Sequence, residues 1–272
     1  MKLIAIDMDD TLLTSSNNVS KSQNEYIINF LDEHDDYAIT IATGRPIQGI
    51  DNKLSLELIN RLYYIALNGA IVLGTDNQIV DIKYLNNNII QDILMFAEKN
   101  KYELCVMDES NYYVLSDDPS DDVYYDAGLN GMEPISISSE EVYSLKYVTK
   151  ILLYEKPENI LATKELIPEF IQKETSIILS QPYLIEFLPK NIDKLSAFKL
   201  LADHLKVKVE DTFAIGDGLN DLTLLQGVGC SIAMSNSNEK ILEIANYVTS
   251  TNDDDGVSKA LENIINGTYV SE

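Results

Sequence analysis

Short apolar runs alternate with amphipathic stretches in the first quarter of the chain. Residues 2–6 are an apolar run that ends at a cluster of acids, a pattern typical of a strand buried on both faces. The next expected elements are a helix at 20–32, a strand at 37–43, a helix at 46–62 and a strand at 63–67. The order strand, helix, strand, helix, strand predicts a parallel sheet with crossover helices.

The middle of the chain follows a different pattern, in which strands succeed one another without a helix between them. The expected elements are a helix at 88–100, a hairpin from 102–107 and 112–116, an acidic stretch at 117–126, a strand at 147–154, a helix at 158–172, and strands at 175–179 and 183–188. A Gln-Pro turn separates the last two strands. This pattern predicts an α+β region with antiparallel pairing.

Helix and strand alternate again from residue 194 onward. The expected elements are a helix at 194–205, a strand at 212–215, a helix at 221–225 and a strand at 230–234. The chain is therefore predicted to be an α/β protein whose parallel-sheet core is split by an inserted domain. We place the core at 1–82 and 190–272 and the insert at 83–189.

Composition and charge narrow the partners this protein can have. Hydrophobic residues make up 45% of the 272 residues and charged residues 24%, the balance of a soluble globular protein. Lys and Arg number 20 against 44 Asp and Glu, a net charge of −24, so nucleic acid and anionic membrane surfaces are poor partners. Cys105 and Cys230 are too few for a disulfide framework and are expected to be free thiols. With no leader or spanning segment evident, we expect a cytoplasmic protein.

The first chemical motif, Asp-Met-Asp-Asp-Thr, starts at Asp7, directly after the first predicted strand. Ligands bind at the carboxyl ends of strands in open α/β sheets. Two carboxylates two residues apart, Asp7 and Asp9, can share a divalent cation there, and one of them can be a nucleophile. Taken alone, the cluster is equally well explained as a turn with helix-capping acids.

The second motif, Thr43-Gly44-Arg45-Pro46, follows the next predicted strand. A hydroxyl, an unobstructed glycine amide and a helix that starts at Pro46 can form a small anion cradle. An ordinary turn from strand to helix is the alternative for this tetrapeptide.

Two more elements complete the set. Taken alone, Lys194 is best explained as a solvated surface charge. Only its position between the neighbouring motifs makes it a candidate site residue. Gly216-Asp217-Gly218-Leu219-Asn220-Asp221 follows a predicted apolar strand, so its acids again lie at a strand's carboxyl end. The acid spacing does not fit an EF-hand loop, and a turn with a helix cap is the remaining alternative.

Together the four elements resemble the haloacid dehalogenase (HAD) superfamily, and within it the Cof-type phosphatases with a type-2 (C2B) cap. Further matching segments are Asn68-Gly69-Ala70, Ile185-Glu186-Phe187-Leu188-Pro189, Ala233-Met234-Ser235-Asn236 and Asp255-Gly256-Val257. Only 33 residues separate Asp9 from Thr43, whereas 150 lie between Thr43 and Lys194, which leaves room for a cap only in the later position. The resemblance implies a Rossmann-like HAD core at 1–82 and 190–272 and a C2B-type cap at 83–189.

The resemblance also implies roles for individual residues. Asp7 is expected to be the nucleophile, and Asp9 the acid that protonates the leaving group and then the base that activates water. Mg²⁺ is the expected cofactor, with metal positions at Asp7, Asp9 (through its main-chain carbonyl), Asp217 and Asp221. Phosphate and substrate contacts are expected from Met8, Thr43, Gly44, Arg45, Lys194 and Asn220. Asp10 matches no functional position, and we interpret it as structural.

The insert is acidic and rich in tyrosine. Residues 83–189 contain eight lysines, no arginine, nineteen acids and ten of the sixteen tyrosines. A region of this composition is poorly suited to grip a second phosphate or a polyanion, but it suits a sugar or a flat ring on one phosphate.

The function expected from these observations is Mg²⁺-dependent hydrolysis of a small phosphorylated metabolite, such as a sugar phosphate or a cofactor phosphate, through an aspartyl-phosphate. A phosphomutase of the same fold is the alternative among enzymes, and a non-catalytic sensor of phosphorylated ligands is the alternative outside them. We expect a monomer or homodimer that needs neither nucleic acid nor membrane.

Overall fold

Fourteen strands and twelve α-helices are present in the part of the chain, residues 1–270, that a computed structural model describes. The strands are β1 (Lys2–Ile6), β2 (Tyr37–Ala42), β3 (Tyr63–Ala66), β4 (Ile71–Leu73), β5 (Ile79–Ile82), β6 (Glu103–Met107), β7 (Tyr112–Val114), β8 (Pro134–Ser136), β9 (Lys150–Tyr154), β10 (Thr175–Gln181), β11 (Leu184–Pro189), β12 (Thr212–Gly216), β13 (Cys230–Ala233) and β14 (Tyr247–Val248). The α-helices are α1 (Lys21–Glu33), α2 (Ile47–Asp51), α3 (Leu56–Ile59), α4 (Asn87–Asn100), α5 (Asp121–Leu129), α6 (Ser139–Val142), α7 (Ile160–Leu166), α8 (Glu169–Glu174), α9 (Lys194–Leu205), α10 (Leu222–Gly227), α11 (Glu239–Ile244) and α12 (Gly256–Ile265).

The internal contacts divide the chain into two units. The first comprises Met1–Gly44, Lys53–Asp81 and Asp193–Glu272, and the second comprises Arg45–Asn52 and Ile82–Ile192. The short segment 45–52, which contains α2, therefore groups with the middle of the chain. The division into a core and an insert at 83–189 stays a prediction about independent domains.

The sheet of the first unit has the strand order β14-β13-β12-β1-β2-β3-β4-β5. Every neighbouring pair from β14 to β3 is parallel, and β4 runs antiparallel to β3. Ile6 at the end of β1 is level with Ile41 of β2 and Ile215 of β12, so the residues that follow these three strands meet at one edge. The predicted α/β fold class with a parallel sheet is confirmed.

Most elements of the first unit follow the predicted pattern, but one helix does not. The expected helix at 46–62 is two short helices, α2 and α3, so that prediction is wrong. The side chain of Ser55 accepts a hydrogen bond from the N–H of Leu58 and so starts α3 as a new helix. The capping residue Ser55 therefore starts a second helix inside a stretch whose apolar periodicity alone predicts one continuous helix.

The sheet of the second unit has the order β10-β11-β9-β6-β7-β8 and is antiparallel except between β7 and β8. One face packs its apolar residues against α4, α7 and α8, in a core that includes Ile93, Ile151 and Phe187. The antiparallel character expected from successive strands is thus present.

Two helical segments of the second unit differ from the sequence pattern. The acidic stretch, for which no element was expected, continues into α5, whose buried residues are Val123 and Ala127. The expected helix at 158–172 is broken into α7 and α8, because Ile167 precedes Pro168 and takes an extended backbone.

A buried polar cluster fixes α5 to the second sheet. The hydroxyls of Tyr112 on β7 and Tyr154 on β9 each donate to Oδ2 of Asp126 on α5, at 2.8 and 3.0 Å. The two hydroxyls are also within hydrogen-bond distance of each other. Burial is the main cause of the raised pKa of both tyrosines, which keeps them protonated and able to donate.

We expect Tyr112→Phe to lower the free energy of unfolding by about 1–3 kcal/mol, because it removes a buried hydrogen bond to a carboxylate. Urea denaturation followed by circular dichroism measures this change. Tyr113→Phe is the matched control, since the neighbouring hydroxyl bonds Asp108 on a partly exposed face and should cost less than 1 kcal/mol. Equal losses in the two variants would contradict the proposed importance of the cluster.

Two further expectations can be compared with the described residues. Cys105 and Cys230 are both buried, and neither forms a disulfide within residues 1–270, as predicted. No helix among residues 1–270 is both long and apolar enough to span a bilayer.

Candidate active site

Asp7 lies directly after β1 and is 4% exposed. Its backbone N–H donates to the carbonyl of Ile215 on β12 at 2.9 Å, which continues the parallel pairing of β1 with β12 to Asp7. The chain then makes one irregular turn over Met8–Leu12, closed by the N–H of Leu13 on the carbonyl of Met8 at 2.8 Å. The Met8 side chain is buried in this turn, whereas Asp9 is exposed.

Asp10 completes this turn in a left-handed backbone conformation, with φ 55°. Its side chain is exposed, and its carbonyl accepts a hydrogen bond from the Asn236 amide at 2.8 Å. Asp tolerates this conformation better than most residues. The backbone conformation and the carbonyl contact of Asp10 therefore support the interpretation of this residue as structural.

Lys194 is the first residue of α9 and is 1% exposed. Asp193 caps the helix by accepting from the N–H of Ser196 at 2.7 Å. The Lys194 ammonium donates to Oδ1 of Asp7 at 2.5 Å and to Oδ1 of Asp221 at 2.6 Å. A lysine that looks like a surface charge in the sequence is thus the central cation of a buried cluster.

The start of α9 is held by a close backbone contact at Gly69. With φ +106°, this residue follows β3, and a Cβ there would lie 2.6 Å from the carbonyl oxygen of Asp193. Only glycine allows this approach. The glycine of the Asn68-Gly69 motif therefore allows this turn to pack closely against the start of the helix that carries Lys194.

The loop after β12 folds around the carboxylate of Asp221. Its Oδ2 accepts hydrogen bonds from the N–H groups of Asp217 and Gly218, at 3.2 and 3.1 Å. A Cβ on Gly216 would lie 2.7 Å from this oxygen, so the carboxylate needs glycine at that position. Asp217 accepts a hydrogen bond from the Thr11 hydroxyl at 2.7 Å, which links this loop to the turn after β1.

Asp7, Asp217 and Asp221 each present a carboxylate oxygen within 4.8 Å of the others. Burial raises the pKa of Asp7 well above its usual range. The negative charge of Asp221 raises this pKa further, and the positive charge of Lys194 opposes the rise. Burial also raises the pKa of Asp217 to about 6. For Lys194, burial alone would lower the pKa, but the two carboxylates outweigh it and hold the ammonium charged.

This donor set fits a hard divalent cation. Three carboxylates surround one ammonium, so the cluster carries excess negative charge when ionised, and its ligands are all oxygens. A bound dication would stabilise the charged carboxylate of Asp7 against the burial that raises its pKa. No second group of three metal-ligating side chains at this spacing occurs in residues 1–270.

Thr43 and Gly44 follow β2 at the same edge of the sheet. Thr43 is 1% exposed, and its N–H donates to the carbonyl of Ile65 at 2.9 Å. The N–H of Asn68 donates to the carbonyl of Thr43, also at 2.9 Å, which joins this turn to the Asn68-Gly69 segment. The backbone of this predicted anion cradle is therefore fixed from both sides.

The remaining predicted contact residues are placed differently. Asn220 is exposed in the loop that contains Asp217 and Asp221. Arg45 groups with the second unit, where its guanidinium donates to the carbonyl of Leu129 at 3.4 Å. The structure therefore brings Asp7, Asp217, Asp221 and Lys194 into direct or near contact.

Two acids of the sequence 253–255 accept hydrogen bonds from serines near the start of the chain. Asp255 accepts from the hydroxyls of Ser20 and Ser22, at 2.5 and 2.6 Å, and Asp253 accepts from Ser15. These contacts give each carboxylate a structural partner. Thr11 is a site residue whose contact with Asp217 we did not anticipate, although it stands inside the first motif.

Comparisons with known proteins show the family to which the chain belongs. The model of the haloacid dehalogenase-like hydrolase family matches residues 4–261. YxeH of Bacillus subtilis is 30% identical over 267 residues, covering 97% of this chain and 98% of that one. The 5-amino-6-(5-phospho-D-ribitylamino)uracil phosphatase YcsE of the same organism is 29% identical, covering 96% and 94%.

Among solved structures, a haloacid dehalogenase-like hydrolase from Bacteroides thetaiotaomicron superposes with a TM-score of 0.88 at 26% identity, covering 97% of this chain and 99% of that one. The family match spans both units and all four motifs. The family and the enzyme class expected from the motifs are confirmed. The chain belongs to the haloacid dehalogenase-like hydrolases.

Proposed function

We propose that this protein is a Mg²⁺-dependent phosphatase that hydrolyses a small phosphorylated metabolite in the cytoplasm through an aspartyl-phosphate on Asp7. The observation that carries the proposal is the pairing of the buried Asp7 carboxylate with Lys194, beside two further carboxylates that suit a cation. The relatives named as phosphatases support the reaction class.

In the first half-reaction, a carboxylate oxygen of Asp7 attacks phosphorus in line with the ester oxygen. The phosphorus–ester bond breaks, and the proton of Asp9 goes to the leaving alkoxide. The exposure of Asp9, next to the buried Asp7, suits a group that must exchange protons with the leaving group and with water.

In the second half-reaction, water attacks the phosphorus of the aspartyl-phosphate. Asp9 takes the proton of this water, and the bond between phosphorus and the Asp7 oxygen breaks, which restores both carboxyl groups and releases phosphate. Splitting the displacement into two steps lets one positioned pair of carboxyl groups serve both.

Positive charge and hydrogen-bond donors hold the transferring phosphoryl group. Lys194 neutralises part of the negative charge that Asp7 and the phosphate bring together. The other proposed contacts are Met8, Thr43, Gly44, Asn220 and Arg45. Thr43 and Gly44 offer a hydroxyl and an amide in a turn fixed on both sides.

The proposed metal ligands are Asp7, the main-chain carbonyl of Asp9, and Asp217, with Asp221 supporting them from its hydrogen bonds to the loop. When bound, Mg²⁺ would polarise the phosphoryl oxygens and offset the repulsion between Asp7 and the substrate. Mg²⁺ is the dication we propose because it accepts few carboxylates and retains water.

We propose that residues 83–189 form the cap that selects the substrate, while 1–82 and 190–272 supply the chemistry. The acidic cap without arginine favours a substrate with one phosphate and a neutral remainder. A sugar phosphate or a cofactor phosphate meets this description. The proposal is for a monomer or homodimer acting on a small molecule.

Removal of the metal tests this function. With p-nitrophenyl phosphate, we expect the purified protein to release phosphate with Mg²⁺ and to lose roughly 10²-fold or more of its rate in excess EDTA, with recovery on adding Mg²⁺. Phosphate release is measured directly. A rate that EDTA leaves unchanged would contradict the metal dependence.

The same assay separates the alternatives. A sensor would bind phosphorylated ligands without releasing phosphate from any ester, whether or not Mg²⁺ is present. A phosphomutase would leave the net phosphate count unchanged when given a monophosphate and a bisphosphate primer. Steady release of free phosphate supports the phosphatase.

A further inference from the structure

The strand β10 is the longest of the four strands that form sheet edges in residues 1–270. It pairs antiparallel with β11 on one side, and no described strand lies on its other side. The carbonyl of Thr175, at its start, accepts from the Lys190 ammonium at 3.3 Å. Within the described residues, the backbone of 176–181 makes no hydrogen bond other than those to β11. This edge therefore presents a row of N–H and C=O groups to which a further strand can pair.

The sequence of β10 favours such pairing. It reads Thr-Ser-Ile-Ile-Leu-Ser-Gln and contains no charged residue, no glycine and no proline. The side chains from Ser176 to Leu179 are half-buried, and Ser180 and Gln181 are exposed. Pairing with β11 is regular up to Leu179 and shifts only between Leu179 and Gln181. A regular, uncharged strand rich in isoleucine is well suited to pair with a strand of another chain.

The three other sheet edges have features that prevent pairing. The edge strand β14 is two residues long, and the hydroxyl of Tyr269 donates to the carbonyl of its Val248 at 3.0 Å. The edge strand β8 is three residues long and begins with Pro134, and the edge strand β5 contains Asp81. Short length, proline and charge are the usual means by which proteins protect an edge. In β10, the only irregularity is the bulge near its end.

Charge indicates which partner fits this edge. The chain has a net charge of −24, so two copies repel each other unless they meet where the surface is uncharged. A peptide that carries charge finds no opposite charge along β10. The same strand of a second copy matches it in length, in polarity and in the absence of charge.

The direction of pairing follows from the residues that precede the strand. Lys173 and Glu174 come directly before β10. Parallel pairing of two copies would place each of these residues beside its own equivalent, and like charges at such positions are destabilising. Antiparallel pairing across a two-fold axis places them at opposite ends of the paired segment. A two-fold contact also uses the β10 edge of both copies, so the assembly stops at a dimer.

Pairing would also bury apolar surface on both faces of the sheet. Ile177 and Leu179 pack at the margin of the core that contains Ile93 and Phe187, and they remain partly exposed. Ile178 is also half-buried and projects from the opposite face. A neighbouring strand would cover parts of all three side chains, a gain that adds to the backbone hydrogen bonds.

We propose that the β10 edges of two copies pair antiparallel across a two-fold axis and so make the protein a weak homodimer in solution. This pairing joins the two six-stranded sheets into one. The interface is formed mainly by one strand from each copy, which places it in the small, transient class, with a Kd of about 10 µM. The inference goes beyond the proposed reaction and does not depend on it.

Sedimentation velocity of the full chain tests the assembly. Between about 2 and about 200 µM protein, we expect the average mass to rise from that of one chain toward that of two. Raising NaCl from about 0.05 to about 0.5 M should strengthen the dimer, because salt screens the repulsion between two chains of charge −24.

Lysine substitutions test whether β10 is the interface. We expect Ile178→Lys and Ser176→Lys each to raise the Kd about tenfold or more, because they bring like charges together across the paired strands. Lysine lowers the net negative charge of the chain, so only a local effect can weaken the dimer. Ser176→Lys removes no apolar side chain, and its thermal unfolding should resemble that of the wild type. Ile79→Lys is the matched control, since Ile79 is 55% exposed on the edge strand β5.

Hydrogen exchange locates the contact within the chain. The amides of 176–179 should exchange roughly threefold or more slowly at about 200 µM than at about 2 µM protein, in the wild type and in Ile79→Lys. The amides of 79–82 on β5 should exchange equally at both concentrations.

Any of three results would overturn the inference. One is a wild-type protein that keeps the mass of a single chain at about 200 µM in high salt, which would leave the edge to a different partner. Another is a dimer whose Kd neither β10 variant changes, or whose β10 amides exchange equally at both concentrations. The third is a mass that grows beyond two chains, which a closed two-fold contact does not allow.

Discussion

Asp7→Asn should abolish phosphate release, with a loss of about 10⁴-fold or more, because an amide is a poor nucleophile and a poor metal ligand. The protein should stay folded. Burial raises the pKa of Asp7, so the folded state disfavours its charge, and Lys194 keeps Asp221 as a partner after the substitution. Steady-state phosphate release measures the activity, and thermal unfolding measures the stability.

Asp10→Asn is the matched control for this experiment. It removes a carboxylate three residues away, but that side chain is exposed, and asparagine tolerates the left-handed backbone at φ 55°. We expect its rate to stay within threefold of wild type. An Asp7→Asn protein whose rate lies within tenfold of wild type would overturn the assignment of the nucleophile.

Asp9→Asn should slow both half-reactions by roughly 10²–10⁴-fold, since an amide can neither protonate the leaving group nor accept a proton from water. If the second step suffers more, the aspartyl-phosphate on Asp7 should accumulate. Rapid acid quench followed by mass spectrometry would then show a phosphorylated protein, which the Asp7→Asn, Asp9→Asn double variant cannot form.

The choice of ester refines this second test. Nitrophenolate leaves without a proton, so phosphorylation of Asp9→Asn by p-nitrophenyl phosphate should be faster than by an alkyl phosphate, while the later hydrolysis stays slow. Asp10→Asn again serves as the control. A normal rate for Asp9→Asn on alkyl phosphates would transfer the acid and base role to another group.

The sequence determined the fold class and the edge of the sheet at which the candidate site lies, because both depend on local pattern. Apolar runs such as 2–6 and 212–215 predicted buried parallel strands, and the structure has β1 and β12 there, paired side by side. Acids that directly follow such strands must lie at one edge of the sheet. Asp7 and Asp217 could therefore be nominated together without coordinates.

Helix ends were harder to predict, because a few local contacts decide them. The apolar periodicity of 158–172 continues through Pro168, yet the backbone restriction before proline ends α7. The helix α5 in the acidic stretch is stabilised by tertiary contacts. It buries Val123 and Ala127, and Asp126 accepts hydrogen bonds from two tyrosines. The partners of α5 are far away in sequence, so its own residues gave no such signal.

Charge partners are what only the tertiary structure decided. Lys194 is 187 residues from Asp7. Lys150 on β9 forms a buried ion pair with Glu186 on β11, at 2.9 Å, although the two are 36 residues apart, so no local pattern joins either pair. The resemblance to a family nominated Lys194, but nothing in the chain's pattern marked Lys150 or Glu186 as paired. Periodicity fixes which face of a strand a residue occupies. Which charges meet on that face, and whether water can reach them, depends on strand order and packing, and these exist only in the folded protein.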